Sequence, residues 1–297
     1  MARYLDPKND LPFKRIFGEH QDLLKSFLNA LMPLDKDQQI VSLEYLPAEQ
    51  VPENPLKKDS IVDVRCKDNY GRQFIVEMQM LWENSFTNRM VFNASKAYVR
   101  QLDKNEKYYL LQPVYALAIL NETFDKKTDE FYHHYRIVND KKTDERIEGL
   151  EFVMVELPKF KAETWTDRRM AVLWLRFLQE VGEEMRVVPA ELKKNREISR
   201  ALDMCEEGAF TEAELYAYDR YWDSVRIQKS LIHGGELKGK AEGLAEGEAK
   251  GRAESLINVV LNGKRNGFSV EQIAVITGLG EERISEIFRS NGSDGEE

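Results

Sequence analysis

A tight turn between two strand-like runs constrains this chain more than any other feature. Asn69-Tyr70-Gly71 separates a run that ends at Asp68 from a run that begins at Arg72, and both runs are rich in β-branched and apolar residues. This pattern predicts a β-hairpin over Lys57–Gln79 with a three-residue loop, in which Gly71 takes the left-handed conformation of a bulge. The loop length then fixes which residues face each other across the two strands.

The register of this hairpin predicts two different faces, because successive strand residues point to opposite sides. Three apolar pairs are expected on the face toward the core: Val62–Met78, Val64–Val76 and Cys66–Phe74. On the other face, Asp63 is expected opposite Glu77. Facing carboxylates repel each other, and a divalent cation between them would reverse the sign of that interaction. The alternative is a solvated face on which Asp63 pairs with Arg65 or with a lysine.

The residues of the second face predict a metal centre with hard oxygen ligands. The candidate ligands are the carboxylates of Asp63 and Glu77 and the backbone carbonyl of Met78, and such oxygens suit Mg²⁺ or Mn²⁺. Gln79 cannot act as a base, but its amide could orient a water molecule or a phosphate. Asp10 has two interpretations, which are a third acid of the site or the cap of the first helix.

The residues around this acid pair resemble those of a known nuclease family. Asp63 followed by Glu77-Met78-Gln79 is similar to the metal-binding signature of PD-(D/E)XK nucleases. The segments Asp10–Gly18, Ser60–Arg65 and Asn88-Arg89 narrow the resemblance to the branch of recombination-promoting nucleases and transposases. The resemblance implies an α/β fold with a restriction-endonuclease-like core, in which helices flank a mixed central sheet. It also implies Mg²⁺-dependent cleavage of phosphodiester bonds in double-stranded DNA.

The chain departs from this motif at Gln79, because the general motif has a lysine there. Two functions therefore remain open. The first is a metal-dependent DNA endonuclease associated with recombination or mobile elements, in which Lys96 is an accessory candidate for the missing positive charge. The second is a catalytically weak or inactive nuclease-fold protein that binds DNA or regulates another process.

The charge distribution limits how DNA could be bound. A net charge of −9 argues against a broad basic surface for nucleic acid. Residues 1–120 contain as many basic as acidic side chains, so the acidic excess lies in the rest of the chain. A local basic rim could still guide a phosphate backbone, although basic residues on a helix face are more often merely solvated. The rim comprises Lys57, Lys58, Arg65, Arg89, Lys96 and Arg100.

The hydrophobic pattern predicts three segments: a nuclease-like core over 1–160, a helical extension packed on it over 161–234, and a tail over 235–297. In the core, the apolar run Val114–Leu120 predicts a strand buried on both faces. Two further strands are expected at Phe131–Val138 and Phe152–Leu157, separated by a charged loop over Asn139–Gly149. His133 and His134 are adjacent on a strand, so they should point to opposite faces and not bind one ion.

The C-terminal α-helical extension carries no recognisable chemistry. Thr211 and Glu214 form a capping-box pattern that predicts a helix through about Ser230. The tail then repeats glycine at every fourth residue from Gly239 to Gly251. This repeat indicates either a homo-oligomer contact or a flexible charged linker.

The last part of the tail has the outline of a helix-turn-helix, with helices expected at Val270–Thr277 and Glu281–Phe288. The second helix is rich in glutamate, which favours a small helical hairpin over a DNA reader. The chain has no apolar run long enough to cross a membrane. Cys66 and Cys205 are its only cysteines, and they do not suggest a disulfide. A cytoplasmic location is therefore expected.

Overall fold

The computed structural model describes residues 3–50, 60–103, 105–164 and 169–291. The strands are β1 Leu43–Tyr45, β2 Glu49–Gln50, β3 Ser60–Ile61, β4 Val64–Asp68, β5 Gln73–Gln79, β6 Val114–Leu120, β7 Tyr132–Asn139 and β8 Lys142–Glu156. The α-helices are α1 Asp10–Phe13, α2 Gln21–Leu31, α3 Phe86–Val99, α4 Arg169–Glu180, α5 Ala190–Lys194, α6 Arg196–Cys205, α7 Glu212–Arg265, α8 Val270–Thr277 and α9 Glu281–Ser290. A π-helical turn, Lys14–Gly18, follows α1 directly.

A mixed six-stranded sheet forms the centre of the fold, with the order β1-β4-β5-β6-β8-β7. The three central strands β5, β6 and β8 are parallel, and the flanking pairs are antiparallel. Every residue of β6 is buried, as expected for a strand covered on both faces. Helix α3 connects the parallel strands β5 and β6, which is the usual crossover connection.

The turn has the predicted form. Gly71 has a φ of 84°, and its N–H donates to the Asp68 carbonyl at 3.0 Å. The register is also confirmed, because Val64 faces Val76 and Cys66 faces Phe74. The tight loop therefore sets the alignment of β4 and β5.

The predicted hairpin is wrong at its open end. Pairing between β4 and β5 starts at Val64, and the chain bends at Asp63. The preceding residues pair instead with β2, and Val62 N–H donates to the Ala48 carbonyl at 3.3 Å. As a result, Val62 packs with Ile75 on the α3 side of the sheet rather than on the predicted face with Met78. The first residues of the predicted hairpin, Lys57 and Lys58, lie outside the described residues.

Helices cover both faces of the sheet. On one face, α2, α4 and α6 enclose a cluster in which Trp174 lies within 6 Å of Phe17, Phe27 and Phe177 by ring centroids. On the other face, α3 buries Phe86, Met90, Ala94 and Ala97 against β5, β6 and β8. The periodic apolar positions of each helix explain which side packs on the sheet.

The prediction of a charged loop over Asn139–Gly149 is wrong, because most of this segment is strand. A turn at residues 140–141 joins β7 to the fifteen-residue strand β8, and register shifts occur after Arg136 and Val138. The pairing with β7 supplies the backbone hydrogen bonds that a charged sequence on its own does not indicate.

The chain divides into two compact units, residues 1–226 and 227–297. Helix α7 begins at the predicted capping box, where Thr211 N–H donates to Glu214 Oε2 at 2.7 Å. The predicted end near Ser230 is wrong, because the helix continues through the glycine repeat to Arg265. None of the repeat glycines has another side chain within reach of an added Cβ.

The second unit contains the predicted helical hairpin. Ser269 and Gln272 form the capping box of α8, and Gly278 ends that helix with a φ of 69°. Val260, Ile273, Ile284 and Ile287 form its small buried core. A Cβ added at Gly263 would lie 2.8 Å from the Ile273 side chain, so this glycine is required by packing.

Candidate metal centre

The bend that interrupts strand pairing positions Asp63. Its Oδ2 accepts a hydrogen bond from the Met78 backbone N–H at 2.6 Å. In a strand, the N–H and C=O of one residue point toward the same neighbour, so the Met78 carbonyl lies on the edge of β5 that faces Asp63. The predicted cross-strand pairing of Asp63 with Glu77 is therefore replaced by a contact between Asp63 and the residue that follows Glu77.

Glu77 lies on the central strand β5 and is buried, with 8% of its surface exposed. Asn93 of α3 donates from Nδ2 to Glu77 Oε1 at 2.9 Å. The Arg89 guanidinium lies 4.0 Å from Glu77 Oε2. A buried carboxylate held by one amide and one nearby cation keeps acceptor sites for a further positive group.

The two acids share an electrostatic environment. The pKa of Asp63 is raised to about 6, mainly by burial and in smaller part by the charges of Glu77 and Asp10, while the Met78 hydrogen bond and Lys14 oppose the increase. Burial also raises the pKa of Glu77, against the opposing effects of Asn93 and Arg89. Removing both groups from water while they repel each other disfavours their charged forms. A cation would relieve this cost.

The position of Asp10 overturns the helix-cap interpretation. Asn9 is the cap of α1, since its side chain accepts from the Leu11 N–H at 3.0 Å. Asp10 follows the cap, and its Oδ1 lies 2.8 Å from Lys14 Nζ. The charge of Asp10 contributes to the raised pKa of Asp63, so the first helix adds negative charge in the surroundings of Asp63.

The donor set is compatible with magnesium. Within the described parts of the chain, no cluster of three or more histidine, cysteine or acidic side chains is arranged to hold a metal ion. The carboxylates of Asp63 and Glu77 with the Met78 carbonyl would leave several coordination positions for water and substrate oxygens. Mg²⁺ usually keeps several waters and takes only one or two protein carboxylates.

Gln79 and Lys96, the other two predicted site residues, have different surroundings. The Gln79 amide donates from Nε2 to the Leu81 carbonyl at 2.5 Å, and its Oε1 accepts from Arg89 Nη2 at 2.6 Å. The Lys96 ammonium lies 5.8 Å from the ring centroid of Phe92. The cation that contacts Gln79 is therefore Arg89.

Tyr221 of α7 is a residue that the sequence did not indicate. Burial raises its pKa, and the charges of Asp10 and Asp63 raise it further, so both carboxylates act electrostatically on the phenol. The start of α7 is held against the segment that carries Asp10, since Arg15 Nη2 contacts Glu214 Oε1 at 2.6 Å. Nothing in the local pattern of a helix that begins far along the chain could have predicted this proximity.

The two adjacent histidines contact different glutamates, as expected for neighbouring residues of a strand. His133 Nε2 lies 2.8 Å from Glu156 Oε1, whereas His134 Nε2 lies 2.7 Å from Glu151 Oε2. Their partners on β8 differ by five positions, so the two imidazoles occupy separate environments.

A cavity of about 640 Å³ opens at the other end of the central strands. Its lining includes Arg72, Gln112 and Tyr115, which precede or begin β5 and β6. Asp63 and Glu77 do not line it. The acid pair therefore lies away from this cavity, toward the carboxyl end of β5, where substrates of α/β sheets commonly bind.

The mixed sheet, its helical layers and the acids at β5 define a restriction-endonuclease-like α/β fold. The family model described as "PD-(D/E)XK nuclease family transposase" matches residues 7–235, and the chain belongs to this family. Family membership indicates a nuclease-type function with DNA as the substrate. No match was found among curated proteins or among solved structures. No helix in the described residues is long and apolar enough to cross a membrane.

Proposed function

We propose that this protein is a metal-dependent DNA endonuclease that hydrolyses phosphodiester bonds in double-stranded DNA and acts in recombination or on mobile elements. The observation that carries the proposal is the bend at Asp63, which brings its carboxylate to Met78 beside the buried Glu77. Family membership supplies the substrate class.

In this proposal, Asp63, Glu77 and the Met78 carbonyl hold Mg²⁺, with Mn²⁺ as an alternative. A bound divalent ion would make a water molecule more acidic and neutralise charge on the scissile phosphate. Asn93 fixes the orientation of Glu77 through its 2.9 Å hydrogen bond. Asp10, which is paired with Lys14, is a further hydrogen-bond acceptor on the first helix.

Basic residues near the sheet support a DNA substrate. Burial lowers the pKa of Arg65, and the nearby charge of Arg100 lowers it further. The guanidinium of Arg65 also donates from Nη2 to Gln73 Oε1 at 2.8 Å. A polyanion that approached Arg65 and Arg100 would reduce their mutual repulsion.

Plasmid cleavage tests this function directly. Supercoiled plasmid should be nicked or linearised in Mg²⁺ by the wild type, and Asp63→Ala and Glu77→Ala should each abolish cleavage. Asp144→Asn is a matched control, because Asp144 is an exposed acid of β8. Equal cleavage by all four proteins would refute the metal centre.

The second candidate is a nuclease-fold protein that binds DNA or regulates another process with weak or absent catalysis. Gln79 favours it, because an uncharged amide stands where the general motif has a lysine. Calorimetry separates the two functions: heat from Mg²⁺ or Mn²⁺ uptake that disappears in Asp63→Ala supports the nuclease, and no uptake by the wild type supports the alternative.

We also propose that the tail mediates a homo-oligomer. Leu237 and Leu244 lie seven residues apart on α7 and are 57% and 65% exposed. Residues with this spacing share one face of a helix. Light scattering on the full chain should show a smaller mass for Leu237→Glu combined with Leu244→Glu. An unchanged mass would contradict assembly through this face.

A further inference from the structure

The side chain of Arg89 lies where the candidate metal centre meets the position of the missing lysine. Its Nη2 donates to Gln79 Oε1 at 2.6 Å and lies 4.0 Å from Glu77 Oε2. Its Nη1 lies 3.9 Å from Glu83 Oε2. The side chain is 39% exposed, so the guanidinium is held in place and also reaches solvent.

Helix α3 explains this placement. Phe86 and Met90 anchor the helix on the sheet, and the Arg89 guanidinium lies 5.0 Å from the Phe86 ring centroid. Arg89 and Asn93 are four residues apart and therefore lie on the same side of the helix. The same side of α3 thus presents an amide to Glu77 and a cation to Gln79.

The amide of Gln79 fixes the guanidinium. Both ends of this amide are engaged, with Nε2 on the Leu81 carbonyl and Oε1 on Arg89. A lysine at position 79 would place an ammonium at the end of β5 and repel Arg89. The neutral glutamine instead accepts a hydrogen bond from Arg89, so the residue that departs from the motif is the one that holds a cation at the site.

We propose that Arg89 binds the scissile phosphate and supplies the positive charge that the motif lysine provides elsewhere, an inference that rests on the proposed nuclease function. The guanidinium has five N–H donors in a planar fork, which matches phosphate oxygens in a bidentate manner. It stays protonated in proteins, so it stabilises charge and takes no proton from water. The activation of water would then come from a divalent ion held by Asp63 and Glu77.

Lys96 is the rival for this role. It lies seven residues beyond Arg89 on α3, which corresponds to about 10 Å along the helix axis. Its ammonium lies near Phe92, whose side chain is 43% exposed. Arg89 takes the position beside Gln79, because its guanidinium donates to Gln79 Oε1 at 2.6 Å.

The test compares Arg89→Ala and Arg89→Lys with the wild type in cleavage of supercoiled plasmid with Mg²⁺. Arg89→Ala should lower the cleavage rate by about 10²–10³-fold, as does the loss of one preorganised donor in other enzymes. Arg89→Lys should be intermediate, since lysine restores the charge and lacks the fork. Arg252→Ala is the control, because it removes an exposed arginine that also has a glutamate partner.

Two further measurements distinguish a phosphate-binding role from a structural one. Calorimetric Mg²⁺ uptake should persist in Arg89→Ala and disappear in Asp63→Ala. Guanidinium ions added below denaturing concentrations should restore part of the activity of Arg89→Ala and none of that of Asp63→Ala. Loss of Mg²⁺ uptake in Arg89→Ala, or absence of any restoration, would overturn the phosphate-binding role.

The failure of this inference is separable from the failure of the proposed function. If the wild type cleaves plasmid and Arg89→Ala stays within about twofold of it, the role of Arg89 is refuted and the nuclease function stands. If the wild type does not cleave plasmid with Mg²⁺ or Mn²⁺, the nuclease function is refuted, and the role of Arg89 is refuted with it.

Discussion

Replacing Asp63 by asparagine should stabilise the metal-free protein at neutral pH. The substitution removes the carboxylate and keeps a side-chain oxygen that can accept from the Met78 N–H. Burial and the charge of Glu77 raise the pKa of Asp63 to about 6 in the folded protein. An exposed aspartate in an unfolded chain titrates near 3.9. The folded protein therefore binds this proton more tightly than the unfolded chain does.

The sign and size of the effect follow from this difference. The stabilisation by the bound proton is fully present below about pH 4 and is lost as the pH rises through 6. With about 1.4 kcal/mol per pKa unit, the whole loss is at most about 3 kcal/mol. About 2 kcal/mol of it falls between pH 4.5 and 7.5. Asp63→Asn should avoid this loss, so its advantage over the wild type should grow with pH.

Urea unfolding in EDTA at pH 4.5 and pH 7.5 measures this advantage. Tryptophan fluorescence suits the first unit, because all four tryptophans precede residue 227 and Trp174 is fully buried in its core. The difference in unfolding free energy between Asp63→Asn and wild type should increase by about 2 kcal/mol over this range. Asp144→Asn, which changes an exposed acid, should show no comparable increase.

Magnesium should make the wild type more stable than Asp63→Asn. At a Mg²⁺ concentration 100 times its dissociation constant, the wild type should gain about 2.7 kcal/mol, whereas Asp63→Asn should gain little. The reasoning would be refuted if the difference in unfolding free energy between the two proteins did not change with pH. It would also be refuted if Mg²⁺ stabilised both proteins equally, because the charge of Asp63 would then not be the cause of the instability.

Three other predictions concern Asn93, Tyr221 and the glycines of α7. Asn93→Ala should weaken Mg²⁺ uptake at pH 7 by about tenfold, because it removes a donor that lowers the pKa of Glu77. Calorimetry at pH 8.5 should show that Mg²⁺ uptake by Asn93→Ala recovers toward that of the wild type. Equally weakened uptake at pH 7 and pH 8.5 would contradict this explanation. Tyr221→Phe should slow plasmid cleavage by about tenfold through loss of one hydroxyl near the acids, with unchanged Mg²⁺ uptake; wild-type rates would contradict it. Gly243→Ala should stabilise α7 by about 1 kcal/mol, whereas Gly263→Ala should destabilise the second unit because its methyl group meets a buried isoleucine. Hydrogen exchange of backbone amides measures the local stability change in each variant. An equal change in stability for Gly243→Ala and Gly263→Ala would refute the packing argument.

The features that the sequence predicted correctly are determined by neighbouring residues. The loop Asn69–Gly71 has one favourable conformation, and that conformation fixes the pairing of Val64 with Val76. The capping box Ser269–Gln272 likewise defines the start of α8 without tertiary information. The strand Val114–Leu120 is apolar throughout and could only be buried.

The features that the sequence did not predict depend on distant partners. The bend at Asp63 follows from pairing of β3 with β2, and Val62 consequently packs on the other side of the sheet. The strand character of Asn139–Gly149 comes from its pairing with β7. The contact of Arg89 with Gln79 depends on how α3 packs on the sheet, and the surroundings of Tyr221 depend on how the start of α7 packs against the N-terminal segment. Helical periodicity specifies neither.

The interruption at Val62–Asp63 has a consequence for engineering. In the proposed metal centre, Asp63 reaches the Met78 N–H because pairing between β4 and β5 stops at Val64. A substitution that extended the pairing of β4 with β5 to Val62 would remove the bend at Asp63. The proposed metal position would then be lost although both acids remained. Grafting the proposed centre onto another protein would therefore require copying this interruption in strand pairing together with the two carboxylates.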